Sequence, residues 1–130
     1  MPFYKHLGIK LTKLAWGRSE LRLVVGKQLT QDTGIAHGGV AASLVDSVVG
    51  LALLTMLRSH EPIATVELKV NFIQPAEPGL LIAEGKILHR GNQIAVGDGL
   101  IRDRKGRLVA KGTATYMVLG NSRKRIYSVK

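Results

Sequence analysis

A chain of 130 residues, 45% hydrophobic and 22% charged, has the composition of a globular domain with its own core, not of a disordered tail or a multi-span membrane protein. Cysteine is absent, which excludes disulfide scaffolds, thiolate metal sites and cysteine nucleophiles and fits a reducing compartment. The net charge of +10 invites nucleic acid, anionic lipid or a polyanionic small molecule, and +9 of it falls after residue 84.

In chain order, the start from Met1 to His6 lacks the apolar run of a signal peptide, so a cytoplasmic protein is expected. Ile9, Leu11 and Leu14, then Leu21, Leu23 and Val25, alternate with polar neighbours and predict two strands joined at Gly17 and Arg18. After a polar, turn-forming stretch from Gly26 to Gly34, residues Val40 to Leu57 predict one long helix, apolar on almost every face. A membrane span is disfavoured, because Asp46 would cost roughly 2.5 to 3.5 kcal/mol inside a bilayer. A helix apolar all round needs cover on all sides, so a sheet must wrap it, and a second subunit can complete the enclosure. Beyond Pro62 the period becomes two, with Val66, Leu68, Val70 and Phe72 on one face and Thr65, Glu67, Lys69 and Asn71 on the other. Pro75, Pro78 and Gly79 make a turn; Leu80 to Leu88, Ile94 to Arg102 and Leu108 to Leu119 follow as strands. The layout is α+β: one antiparallel sheet of five to six strands curled around one central helix, in a single domain over residues 1–130. From about residue 120 a basic tail is expected, with Arg123 to Arg125 a solvated run and a short strand at Ile126 to Val129.

The segment from Gln31 to Asp46 bears on chemistry. Gly38 and Gly39 open the helix although each costs about 1 kcal/mol of helix propensity relative to Ala. Either they tighten the loop-to-helix junction, or they let a ligand approach the backbone. In the second case the N–H groups of Gly38 and Gly39, at the positive end of the helix, would hydrogen-bond an oxygen that gains negative charge. Asp46 is the only acid in the helix, among Leu44, Val45, Val48 and Val49. A carboxylate there must be paired, hydrogen-bonded or used in chemistry. A polar stripe with Ser43, Ser47 and Thr55, or a bond across a subunit interface, would satisfy it without catalysis. Eight helical residues separate Gly38 from Asp46, about 12 Å along the axis, whereas groups acting on one carbonyl must lie about 3 Å from it. If both act on one substrate they come from different chains, and two antiparallel helices in a two-fold dimer would supply two equivalent sites.

His37, Gly38, Gly39 and Val40, Asp46 nine residues after the histidine, Gly50 before Leu51, and Thr65 to Ala76 with Asn71, Phe72 and Pro75 together resemble the hotdog-fold acyl-CoA thioesterases of the phenylacetate-degradation type. The similarity runs over residues 20 to 119. It implies a hotdog fold, hydrolysis of a thioester between an acyl group and coenzyme A, no metal, no cofactor, and a homo-oligomer that is a dimer at minimum and a dimer of dimers in the family. It makes Asp46 the nucleophile or the general base for water, and the Gly38 N–H the donor that polarises the thioester carbonyl. Gln31 falls where the family orients water or contacts the thioester. His37 falls on the catalytic motif's histidine, its work being to fix the loop and the Gly38 peptide. Gly39, Asn71 and Thr65, the last from the facing subunit, fall at substrate-binding positions. The basic residues Arg90 and Arg102, with Arg104, Lys105 and Arg107, suit a surface that receives the phosphates of coenzyme A. A tunnel lined by Val48, Leu51 and Leu54 would take an aryl-acetyl, benzoyl or medium-chain acyl group.

A non-catalytic acyl-CoA-binding module of the same fold could dispense with Asp46. A nucleic-acid-binding protein is motivated by charge alone: aromatics are 5%, and no helix-turn-helix or RNP-like segment is present, so no nucleic-acid partner is expected, nor a membrane. A dehydratase would want a histidine and an acid facing one β-hydroxyacyl carbon. His6, His60 and His89 have no motif company and no metal-ligand spacing.

Overall fold

The computed structural model describes residues 1–58 and 61–120; the tail at Arg123 to Arg125, the strand expected at Ile126 to Val129, and His60 lie outside them. A short helix α1 (Pro2–Leu7) leads into strands β1 (Lys10–Ala15) and β2 (Arg18–Val25), and a single 3-10 turn (Lys27–Leu29) precedes the long helix α2 (Gly38–Leu54). Strands β3 (Ile63–Phe72), β4 (Gly79–Arg90), β5 (Ile94–Asp103) and β6 (Leu108–Val118) complete one antiparallel sheet of order β1-β2-β4-β5-β6-β3.

The sheet wraps α2, whose Leu44, Val45, Val48, Ala52 and Leu53 are fully buried. Close wrapping is possible because the middle strands turn glycines toward the helix. A Cβ on Gly85 would strike the Val48 carbonyl, one on Gly97 would come within 2.7 Å of Val49 Cγ1, and one on Gly112 within 2.9 Å of Val45 Cγ1. Ser19 Oγ donates to the same Val48 carbonyl at 2.6 Å. This intimacy fills the space expected for a tunnel along Val48, Leu51 and Leu54: Val48 and Leu51 are buried in the core and Leu54 is exposed at the helix end.

Three local features differ from the sequence expectation. First, Pro2 at the start and Gly8 at φ 79° after the end delimit α1, whose Tyr4 packs on the core beside Ser47 and Asp46. Second, α2 stops at Leu54 instead of Leu57. Thr55 Oγ1 donates to the Ala52 carbonyl at 2.6 Å and accepts the Gly17 N–H at 2.7 Å, tying the helix end to the β1–β2 turn.

Third, the even alternation of β3 breaks. Thr65 pairs with Tyr116 but Glu67 pairs with Thr115, so Val66 is an extra residue, a β-bulge. From Leu68 to Phe72 the even-numbered side chains share the face of buried Ala114 and Ala110, as expected, whereas Thr65 is re-aimed from the outer face to the helix face.

Candidate active site

One half of the site lies at the start of α2. The loop before it is tied down by Ala36 N–H on the Ala76 carbonyl (2.7 Å), His37 N–H on the Leu29 carbonyl (2.9 Å) and Gln31 N–H on the Ile35 carbonyl (2.8 Å). These bonds deliver His37, with extended φ −62° and ψ 140°, as the N-cap. Its Nδ1 accepts the Gly39 N–H at 2.8 Å, so the ring proton sits on Nε2 and the Gly39 donor is consumed. Of the two glycine amides expected to face an oxyanion, only that of Gly38 is free of a hydrogen bond among the described residues. The glycines differ in another way. A Cβ on Gly39 would press to 3.0 Å from His37 Nδ1, whereas one on Gly38 would make ordinary contact with the Phe72 ring at 3.4 Å. Thus Gly39 serves the histidine cap, while Gly38 contributes its amide.

Gly38 and Gln31 border a cavity of ≈ 370 Å³ whose walls include Ile35, Ala41, Phe72, Leu81 and Val109. Asn71 does not line it. Paired with Lys111, it points to the opposite face from Phe72.

The other half lies midway along α2. Asp46 Oδ1 accepts from Thr65 Oγ1 at 2.8 Å and from Tyr116 OH at 2.5 Å, and the same phenol lies 2.6 Å from the Asp46 carbonyl oxygen. The Thr65 that holds Asp46 belongs to the same chain. The Val66 bulge is the cause, since it turns Thr65 inward. Burial and the bond to Asp46 hold the Tyr116 phenol well above its ordinary range, so it is a donor at any working pH. Oδ2 carries no hydrogen bond among the described residues and is not sealed from solvent. Gly38 and Asp46 are both helical, eight residues apart, about 12 Å along the axis. One chain therefore holds the two halves without joining them.

The basic residues divide as well. Arg102 pairs with Ile82 and Arg90 sits eight residues further along β4, a separation of roughly 25 Å, so the two cannot grip one diphosphate within a chain. Arg90 donates to the Gly91 carbonyl (2.7 Å) and Arg102 to the Gly106 carbonyl (3.2 Å). Arg107 is bound to Asp103 at 2.7 Å, which leaves Arg104 and Lys105 exposed on the β5–β6 turn. That turn is at the cavity's end of the sheet, because Leu81 of the cavity wall pairs with Asp103. Among the described residues no helix is long and apolar enough to cross a membrane. Tyr116 and Tyr4 escaped the sequence reading. An aromatic among the small residues of β6, and a glycine at position 50 of the helix facing it, were the available signals.

Residues 33–110 match the family profile described as the Thioesterase superfamily. A protein of Escherichia coli K12 described as the medium/long-chain acyl-CoA thioesterase YigI is 29% identical over 136 residues, covering 91% of this chain and 86% of that one. Among solved structures, a thioesterase family protein from Silicibacter pomeroyi superposes with a TM-score of 0.88 at 32% identity, covering 92% of this chain and 90% of that one. The E. coli PaaI protein from the phenylacetic acid degradation operon shares the fold, with a TM-score of 0.86 at 23% identity over 92% and 86% of the two chains.

Proposed function

The chain belongs to the thioesterase superfamily and has its hotdog fold, and from that premise we propose that it hydrolyses acyl-CoA thioesters to free acid and coenzyme A at a site shared by two chains. The observation that carries this reading is the division of labour along β3. Its Thr65 end holds Asp46, its Phe72 end abuts Gly38, and the edge between them is the outermost of the sheet. That edge is open, with Val66 56% and Phe72 61% exposed, and an open edge of ten residues is a template for another strand. Two β3 strands paired antiparallel about Leu68 set Glu67 of each chain opposite Lys69 of the other. They also bring the Thr65 end of one chain beside the Val70-to-Phe72 end of its partner. Asp46 of one chain then approaches Gly38 of the other, closing the gap that a single helix leaves open.

At such a site Asp46 Oδ2 adds to the thioester carbonyl carbon or takes a proton from a water that adds. The oxygen that becomes negative is held by the Gly38 N–H at the helix start. The carbon–sulfur bond breaks and the coenzyme A thiolate leaves, to be protonated by solvent; where Asp46 was the nucleophile, water then cleaves the acyl anhydride it carries and frees acid and carboxylate, and where it was the base, the acid leaves directly and Asp46 gives its proton back to solvent. Gln31 orients water or the thioester, and His37 acts through the cap that fixes the Gly38 peptide. The apolar cavity beside Gly38 takes the acyl group; the named E. coli relative supports a medium or long fatty acyl chain over an aryl-acetyl group. Arg104 and Lys105, on the exposed turn at that end, meet the phosphates in place of Arg90.

Free-thiol release from a panel of acyl-CoAs at matched concentration tests the proposal. The expected result is highest kcat/KM with fatty acyl chains and a KM that rises with salt while kcat holds. Release from none of the panel overturns it.

A further inference from the structure

Gly50 is a helix-weakening residue in the middle of α2, and neither turn nor positive φ explains it. Its neighbour across the packing interface does. A Cβ at position 50 would lie 2.7 Å from the Tyr116 hydroxyl and 3.1 Å from Cζ, so the glycine makes the slot through which the phenol reaches the helix. In that slot the hydroxyl is 2.5 Å from Asp46 Oδ1 and 2.6 Å from the Asp46 carbonyl, and its one proton is shared between them. Tyr116 is 6% exposed, and its ring is packed in the core. Thr65, the register partner of Tyr116 on β3, adds the second donor to Oδ1.

We infer that Tyr116 is a positioning residue for Asp46: from its glycine slot it and Thr65 anchor Oδ1 and leave Oδ2 as the single oxygen presented to substrate and water. This rests on the assignment of Asp46 as the reacting carboxylate. A carboxylate on a helix can rotate about χ1 and χ2, and either oxygen can point away from the partner chain; two donors on Oδ1 select one rotamer and one face. Tyr116 itself touches no reacting atom. Its loss should therefore slow turnover and leave ground-state binding alone.

The test is steady-state kinetics of Tyr116→Phe, Gly50→Ala and Asp46→Asn on decanoyl-CoA, with thermal melting of each. Tyr116→Phe keeps the ring in the core and deletes only the donor, so kcat falls about ten- to a hundredfold, as for loss of one hydrogen bond to a charged group, while KM stays within about twofold. Gly50→Ala pushes the intact phenol out of its slot and gives the same split between kcat and KM. The Asp46→Asn arm separates two failures. If Asp46→Asn turns over near the wild-type rate, the assignment of Asp46 falls and this inference with it. If Asp46→Asn is inactive while a folded Tyr116→Phe or Gly50→Ala enzyme keeps kcat within twofold, the positioning role of Tyr116 alone is overturned. A drop in kcat that is matched by a rise in KM and follows the loss of melting temperature assigns Tyr116 to the core only, and also overturns the inference.

Discussion

The two halves of the proposed site are built on opposite terms. At the start of α2 the useful group is a backbone N–H, and the surroundings leave it alone: His37 takes the next amide, and Gly38 stays open toward the cavity. At Asp46 the useful group is a side chain with two rotatable bonds, and the surroundings restrain it with Thr65 and Tyr116 on a single oxygen. A peptide in a helix is already rigid, so it needs only vacancy around it; a carboxylate needs anchoring. Substitutions at the two ends should therefore fail differently, by losing a donor at one and a reacting carboxylate or its aim at the other.

The largest expected effect is at the anchored end. Asp46→Asn preserves shape and removes the charged carboxylate that attacks the thioester or activates water, so turnover of the best acyl-CoA should drop by about a thousandfold or more while melting and oligomer size are kept. A folded variant with near-normal turnover would remove Asp46 from the chemistry.

At the open end, Gly38→Pro is the sharper tool. Position 38 is the first residue of the helix, where proline is tolerated, and His37 already has the extended ψ of 140° that a residue before proline requires. The variant deletes one N–H with little cost to the helix, and kcat should fall by about 10²- to 10³-fold, the usual loss for one oxyanion donor. Gly38→Ala retains the N–H and meets the Phe72 ring at an ordinary 3.4 Å, so it should stay near wild type. Equal losses in Pro and Ala variants would show that the glycine is needed for space, not for its amide.

Mixing Asp46→Asn chains with Gly38→Pro chains joins the two halves in one measurement. Each heterodimer should recover one intact site in two, about half the wild-type activity per heterodimer, if the site crosses the interface. Demonstrated heterodimers with no recovered activity would confine the chemistry to one chain.

Smaller effects concern stability. His37→Ala removes the cap on the Gly39 N–H and should cost about 1 kcal/mol in urea unfolding. Glu20, away from the site, is held below its ordinary range by the Thr12 hydroxyl at 2.6 Å, with Lys13 and Arg22 adding to this. Because its folded value is the lower one, its contribution is complete above the unfolded carboxylate range and is lost as pH falls through the folded value. Glu20→Gln should therefore flatten the decline in stability between pH 5 and about pH 3 measured by denaturant titration.

Much of the architecture was legible because it is written in periodicity. The all-round apolar run from Val40 demanded a wrapping sheet, and the alternating strands supplied one, five of the six strands falling within a residue or two of their expected bounds. Boundaries failed where a single side-chain bond decides them, as with Thr55 ending α2. The face of Thr65 was misread because a bulge at Val66 leaves no mark in the pattern of polar and apolar residues. The cavity was misplaced because the sequence does not reveal which helix face the glycines of β4, β5 and β6 will touch.

By itself, then, the sequence determined the helix-in-a-sheet plan, the glycine pair behind a histidine, and an isolated acid half a helix away, too far to act with them in the same chain. Only the tertiary structure decided which glycine amide is free, which two hydroxyls hold Asp46, and that one open strand links both halves. The physical reason is range. Periodicity and capping are local and can be read from neighbours in the chain, whereas the contact of Tyr116 with Asp46 spans 70 residues and exists only once β6 has closed over the helix.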